Sequence, residues 1–568
     1  MTRRDRIKTM LRAVGLDRVV SRLRYCGRLV VNKEFRRLEM LNARVYQRWR
    51  RAYGDVLRPP LRMAGAARRA LLVGKGTMTG ATLETALIKG LELGGFVPAV
   101  LIDRRLAKYY RLAGVRDFAH WEQYLHAEPT EVAARIVAQA TQLDDLIGLE
   151  HRGARVGRFA LSTTFRALRV GRLDLSAPLT RQRLVEHFAM GMARAEAAHR
   201  LLDRLRPDVV VFMGNRYTGH AEMMDVAIDR GIDVLAWFDA HRSSALVLKR
   251  YNRGNRDQHH ASLSDASWRA MREAPWGAAQ RETLRRELAG GYAAGDWYSR
   301  GGTQFNKRIV PADVLRRDLG LDPAKKTAVI FPHVIWDATL FWGEDLFPNY
   351  EDWLIESVRA ACANTALNWV IKIHPVHIAK NASAKTTEEA GELVALRRRI
   401  GPLPPHVKVI PPETAINTYS LFGVMDYCLT VRGTIGIESA SLGIRVLTAG
   451  TGRYDHRGFT VDSASAAEYL ARLAQLHTLP PMTGAERELA ERYAYAAFLL
   501  RPLPLTSFTI THQKNAEATT HVSVTAKSSE ELRSAADLRA FGAWAADGQD
   551  EDFLWARPGK AAMELTAQ

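Results

Sequence analysis

The sequence predicts an α/β chain of two halves facing each other across a cleft, preceded by a basic helical extension. Three observations predict it. Short apolar runs rich in Val and Ile alternate with stretches of helical periodicity, the succession expected of parallel strands covered on both faces. The chain has 568 residues and 47% hydrophobic content, more than one core usually organises. The alternation lapses and restarts near residue 300. The expected divisions are a basic amphipathic extension at 1–69, a first half with a helical insertion at 70–300, a second half at 301–500, and a return segment with a flexible tail at 501–568.

Charge sharpens the first division. Of the formal net charge of +20, residues 1–69 hold +15, from 20 basic and 5 acidic side chains, residues 70–514 hold +9 and residues 515–568 hold −4. A nucleic-acid-binding body does not account for so uneven a distribution, and no nucleic-acid partner is expected. Ile7, Met10, Leu11, Val14, Val19, Val20, Leu23 and Leu29, interspersed with Arg and Lys, suit broken amphipathic helices with a cationic face. Such helices lie on an anionic membrane surface, or pack as a solvated extension on their own body or a partner. No stretch approaches the roughly 18 apolar residues of a membrane span, and arginines stand where a signal peptide needs its hydrophobic segment. Cys26, Cys362 and Cys428 are too few and too scattered for a disulfide scaffold or a zinc knuckle, which favours a reducing compartment.

The first half opens with ARRALLVGKGTMTG, a buried strand, a glycine-rich turn and a helix start. A helix from about Leu83 to Glu92 then leads into the strand FVPAVLID. Gly74, Gly76 and Gly80 serve either a packing turn or a substrate cleft, because GKGTMTG lacks the dinucleotide-binding spacing and the Lys-Ser/Thr ending of a P-loop. Residues 105–190 read as a helical layer. PDVVVFMG and IDVLAWFDAHRSS are further strands, and their carboxyl ends bring Asn215, Arg216, Tyr217, His220, Asp239 and His241 toward one cleft. GGYAAGDWYSRGGTQFNK suits a domain connection or a ligand-adjacent loop. In the second half KTAVIFPHV, NWVIKIHP, HVKVIPP, MDYCLTV and RVLTAG are strands, with a helix near Trp353–Ala363. The last 50 or so residues carry no secure pattern, and a loosely packed tail is expected.

Three segments carry chemistry. In VRGTIGIESASLGIRVLTAG the strand through Val431 delivers Arg432, Gly433 and Thr434 to a turn, Gly436 permits close approach, and Ile437–Leu442 begins a helix whose free N–H groups suit a phosphate. Glu438 suits ribose hydroxyls or simple helix-end charge stabilisation, and Ser439 and Ser441 add hydrogen bonds. In KIHPVH, Pro375 leaves His374 on a strand-exit loop, able to donate to a phosphate or to pack locally, with Lys372 reinforcing the field. In FPHVIWDATLFWGEDLFPNYEDW, Trp336, Phe341, Trp342 and Tyr350 offer apolar faces, while His333, Asp337, Glu344 and Asp345 offer polar contacts to a sugar or nucleotide.

Together these segments resemble the capsule-polysaccharide biosynthesis group of bacterial glycosyltransferases of GT-B architecture, built from two facing Rossmann-like domains. The HP pair at His374-Pro375 and the Gly/Ser-containing helix are similar to phosphate-binding features of inverting Kdo transferases and bacterial sialyltransferases. The resemblance covers residues 325–465 most directly and 70–300 more weakly. It implies an acceptor-binding domain at 70–300 and a nucleotide-sugar donor-binding domain at 301–500. His374, Thr434, Ser439 and Ser441 would hold the donor phosphate, and Glu438 would sit at the nucleoside. The implied reaction moves a sugar to a hydroxyl of a capsular, O-antigen, lipopolysaccharide or other surface glycan acceptor, at the cytoplasmic face of the inner membrane and by inversion. CMP-Kdo is one donor, and UDP- or GDP-linked sugars stay open. The acidic pair followed by glycine that the sialyltransferases carry in their acceptor half has no counterpart in the N-terminal half of this chain, and the candidate bases are Asp239 first, with Glu222 and Asp337 as rivals. No dense carboxylate cluster calls for a metal, and neither metal nor other cofactor is expected. The alternatives are a sugar-nucleotide-modifying enzyme such as an epimerase, and a non-catalytic membrane-associated protein that binds glycan precursors.

Overall fold

The computed structural model describes residues 25–27, 29–62, 65, 67–126, 128–214, 216–514, 519–556 and 558. Asn215 and residues 1–24, with the expected amphipathic positions Ile7, Met10, Leu11, Val14, Val19, Val20 and Leu23, therefore lie outside the described residues. Six strands come from the first part of the chain: β1 (Arg68–Val73), β2 (Phe96–Leu101), β3 (Asp117–Ala119), β4 (Val209–Met213), β5 (Asp233–Asp239) and β6 (Ala245–Tyr251). Six more follow: β7 (Thr327–Ile330), β8 (Asn368–Lys372), β9 (Val407–Ile410), β10 (Tyr427–Thr430), β11 (Arg445–Thr448) and β12 (Thr460–Val461). A late strand, β13 (Pro502–Pro504), returns to the first sheet.

The first sheet runs β13-β6-β5-β4-β1-β2-β3 and the second β12-β11-β10-β7-β8-β9. The second is parallel throughout, and the first is parallel from β3 to β5 with β6 and β13 antiparallel. This is a GT-B-like pair of doubly wound sheets. In each, strand order reverses beside the first strand of the half, at β1/β4 and at β7/β10, and ligands bind outside the carboxyl ends at such points. Register makes those ends level: Val73 pairs with Leu101, and Leu429 and Ile371 both pair with Ile330.

Strand periodicity explains why the second sheet is buried on both faces. Val329, Val370, Cys428 and Val446 point into one core cluster, and their neighbours Ile330, Ile371, Leu429 and Leu447 into another. The second core also takes Leu263, Trp268, Leu284, Leu288 and Tyr292. The chain thus enters its second half near residue 263, not at 301. The helices Asp265–Glu273 and Ala278–Ala294 carry no strand signal to show which sheet they cover, and they pack on the helix Gly484–Tyr495.

Other differences from expectation are local. The first α/β helix is longer, Met78–Leu93, because Thr77 caps it by accepting from Gly80 N. The segment expected as a loosely packed tail is folded through residue 556. After β13 it forms the hairpin of β14 (Phe508–His512) and β15 (Thr520–Val524), then the helices Ser529–Ser534 and Ala536–Asp547. Leu538, Phe541, Trp544 and Phe553 complete the core of the first half. The helix Ala536–Asp547 packs on Met78–Leu93 with Gly542 against Gly90 and Gly94, so closely that a β-carbon at any of the three would collide with its neighbours.

The two crossings between halves are tied by one carboxylate. Asp552, fully buried, accepts from Lys249 Nζ at 3.0 Å and Ser264 N at 2.7 Å, and lies 3.4 Å from Arg501. Burial opposes its charge, yet Arg501 and Lys249 hold its carboxyl well below the usual carboxylate range. Asp552→Asn should destabilise the protein by about 3–5 kcal/mol, because it strands two buried cations. Urea denaturation of wild type and variant reads this directly.

Candidate functional site

The strand exits converge between the halves. From the first sheet, β5 ends at Asp239, followed by Ala240 and His241. From the second, β10 leads to Gly433 as the N-cap of the eight-residue helix Thr434–Ser441. These elements, with His259, His260, Tyr298, Arg453 and Phe498, enclose a cavity of about 160 Å³. A wider cleft of about 540 Å³ shares His241 with it and is lined by Arg242, Glu287, Gly290 and Trp297.

The helix start is built for close approach. Gly433 N donates to Thr430 Oγ1 at 3.1 Å, closing the turn. Arg453 donates to Thr434 Oγ1 at 2.7 Å and to Arg432 O at 3.1 Å, which sets its guanidinium across the first turn of the helix. Tyr454 donates to Gly433 O at 2.7 Å, and its ring fills the space a β-carbon at Gly436 would need. Gly436 is therefore required by Tyr454. Arg453 Nε and His260 Nδ1 are buried and carry no partner among the described residues. His259 and His260 are pulled well below the usual imidazole range by burial, with Arg453 adding to it, so both rings are neutral.

Each expected site residue has a definite place. Asp239 lines the cavity and pairs with Arg300. Asp337 bridges the halves, accepting from Tyr217 of the first half and Lys380 of the second, each at 2.5 Å. Glu222 is fully buried in the first half, where Gly219 N donates to it at 2.9 Å, and burial pushes its carboxyl up to about 8. His374 accepts from Val376 N through Nδ1 at 3.2 Å, and burial, then Lys380, pulls its imidazole down to about 3. The ring is neutral, with its proton on Nε2 available to donate. Lys372 is buried, with its ammonium on Ile373 O at 3.2 Å, and burial, then Lys307, pulls it down to about 7.

Several residues expected on the ligand are spent inside the protein. Glu438 is buried, and both its oxygens are occupied, one by Tyr292 and the other by Trp297 Nε1 at 3.1 Å. Burial pushes its carboxyl up to about 7. Ser439 is fully buried, and Ser441 donates back to Glu438 O at 2.8 Å. Arg432 donates to Phe341 O and to Glu344 O, and pairs with Asp345, anchoring the loop 336–347. In that loop Ala338, Leu340 and Trp342 are left-handed at φ 56°, 63° and 61°, a conformation costly for residues with a β-carbon. The loop reaches the first half through Thr339 O, which accepts from Ser162 at 2.8 Å, and Trp342 lies 4.5 Å from the His259 ring. His333 accepts from Arg432 N at 3.3 Å and stacks on Tyr350.

His259, His260, Tyr298, Arg300 and Arg453 were not singled out from the sequence. Only the HH pair at 259–260 and the RYDH run at 453–456 offered a local cue. Among the described residues no group of His, Cys, Asp and Glu could hold a metal ion.

No family model matches the chain, and no curated protein matches it. Solved structures show limited likeness. The Thermosulfurimonas dismutans KpsC, a β-Kdo 2,4 transferase, is 17% identical over 52% of this chain and 81% of its own, with a TM-score of 0.31. The S. aureus MnaA–UDP structure is 12% identical over 76% and 92%, at 0.26. The UDP-GlcNAc 2-epimerase of Neisseria meningitidis bound to UDP-GlcNAc is 13% identical over 76% and 97%, at 0.24.

Glu438 supplies a pH prediction. Its folded value, raised to about 7, exceeds that of the unfolded chain, so its stabilising contribution is complete below the ordinary carboxyl value of 4.5 and is lost as pH rises through 7. Glu438→Gln keeps a group able to donate to Tyr292 and never ionises. The stability of Glu438→Gln relative to wild type should rise by about 2–4 kcal/mol between pH 4.5 and 8, measured by urea denaturation at a series of pH values.

Proposed function

We propose that this protein transfers a sugar from a nucleotide-sugar donor, CMP-Kdo being one candidate, to a hydroxyl of a surface-glycan acceptor. The observation that carries the reading is the 160 Å³ cavity, where a helix N-terminus and Arg453 face Asp239 across the junction of two doubly wound sheets. One wall suits a departing phosphate and the other an incoming hydroxyl.

In this reading the second half binds the donor and the first half binds the acceptor. As the bond between the anomeric carbon and the phosphate oxygen breaks, negative charge grows on the phosphate. The free N–H groups of the helix Thr434–Ser441 and the Arg453 guanidinium stabilise it, whereas His374 does not line this cavity. The acceptor hydroxyl attacks the anomeric carbon from the opposite face, with inversion, and gives its proton to Asp239. Arg300 pairs with Asp239 at the wall of the cavity. Glu222, protonated at neutral pH and enclosed in the first half, is not placed to take that proton, and Asp337 is committed to Tyr217 and Lys380. This sequence of steps needs no metal.

A panel of nucleotide sugars with soluble and membrane-derived acceptors tests the reading through nucleotide release and product mass. Release that requires an acceptor supports it, whereas conversion of the donor sugar with no acceptor present would point to an epimerase. Asp239→Asn should lower kcat about 10²–10⁴-fold with little change in donor affinity. Arg453→Gln should weaken donor binding about 10–100-fold, read by titration calorimetry with the donor nucleotide.

A further inference from the structure

The helix Lys33–Leu57 has two differently built sides. Phe35, Asn42, Trp49, Val56 and Leu57 are buried against the first half. On the outer side Lys33, Arg37, Leu41, Arg44, Arg48 and Arg51 recur every three or four residues, and all six are exposed. None of these five cations pairs with a carboxylate among the described residues, whereas Arg105, Arg155, Arg169 and Arg399 elsewhere in the chain do. Exposed large apolar side chains concentrate at the same place. Val30, Val31, Leu38, Met40 and Leu41 are five of the ten such residues among those described, and Val31 is 86% exposed.

Position gives the patch a direction. Its apolar end lies beside the carboxyl end of β2: Glu39 pairs with Arg105 at 3.4 Å, just after that strand, and Tyr109 donates to Asn42 at 3.1 Å. The far end of the helix leads to Leu61, whose N donates to Glu92 at the other end of the helix Met78–Leu93. The apolar residues therefore sit on the side of the first sheet that holds the carboxyl ends of its parallel strands.

We infer that this face docks on an anionic lipid bilayer, with the apolar residues 30–41 entering the headgroup boundary and the arginine stripe meeting the lipid phosphates. Unpaired cations on one side of a helix with protruding aliphatic side chains are the arrangement that combines charge attraction with apolar insertion. A nucleic acid would satisfy the charges and leave Val30, Val31, Leu38 and Leu41 in water. The docked orientation turns the mouth of the cleft toward the membrane, which fits an acceptor held there. That last step rests on the transfer reading, while the docking itself does not.

Vesicle flotation of the full chain tests the inference, with neither donor nor acceptor present, so that docking and transfer can each fail alone. Wild type should float with vesicles of phosphatidylcholine and phosphatidylglycerol and stay behind with phosphatidylcholine alone. The triple variant Arg37→Glu, Arg44→Glu, Arg48→Glu should lose partitioning at least about tenfold. The pair Leu38→Gln, Leu41→Gln should keep binding only at low salt. Unchanged melting temperatures would show that both variants fold. Hydrogen exchange should slow on vesicles at residues 30–48 and stay the same on the helix Pro178–Leu205. Failure of the wild type to float, undiminished flotation of the triple variant, or displacement from vesicles by duplex DNA would overturn it.

Discussion

The geometry of the molecule depends on a single buried carboxylate. Asp552 meets Lys249 on β6, Ser264 where the chain enters the second half, and Arg501 where it returns. Arg501 in turn donates to Ser262 O and, at 2.8 Å, to Leu248 O, so both crossings are bound to the same strand edge. The residues next to these contacts are the ones that line the cavity: His259 and His260 precede Ser262, and Ala497 and Phe498 precede Arg501. A shift at the crossings would therefore move Asp239 relative to the helix Thr434–Ser441. The ion cluster at the molecule's middle sets the distance between the two walls of its cleft.

Arg453, His259 and His260 share the lining of the cavity. Both histidines are neutral, because burial and the neighbouring arginines make a protonated imidazole costly there. His259 accepts from Ala261 N at 3.0 Å, and Arg453 carries the charge. Arg432, buried beside it, does different work. It binds two carbonyls and a carboxylate of the loop 336–347, and so pays for the left-handed residues of that loop. The loop in turn spans to Ser162 and Tyr217, which fixes one side of the cleft without any covalent crossing.

Much of this was legible in the sequence. Nine apolar runs became strands of the two sheets, because a strand covered on both faces has few alternatives to Val, Ile and Leu. The strands that escaped notice are short or marginal. β6 reads ALVLKRY, with buried Lys249 and Arg250 satisfied only by the distant C-terminal segment, and β13 has a proline at each end, as an edge strand tolerates. Of the residues expected at strand exits, Asp239 and Thr434 line the cavity, since topology alone places them there. His259, Tyr298, Arg300 and Arg453 sit on irregular loops with no period to betray them. Glu438 shows the reverse limit. Its helix start was visible, but the Tyr292 that occupies it lies 146 residues away along the chain.

The first sheet has a consequence for how the protein is made. Its outer strand β13 and the helix Ala536–Asp547, whose Gly542 locks onto Gly90 and Gly94, follow the whole of the second half along the chain. Strands β1 to β6 thus cannot complete their core until the second half has been translated as well. The later half, enclosed between residues 263 and 500, can close first. While the later half closes, the nascent first sheet keeps an open edge and an uncovered face, the state in which misassembly is a hazard.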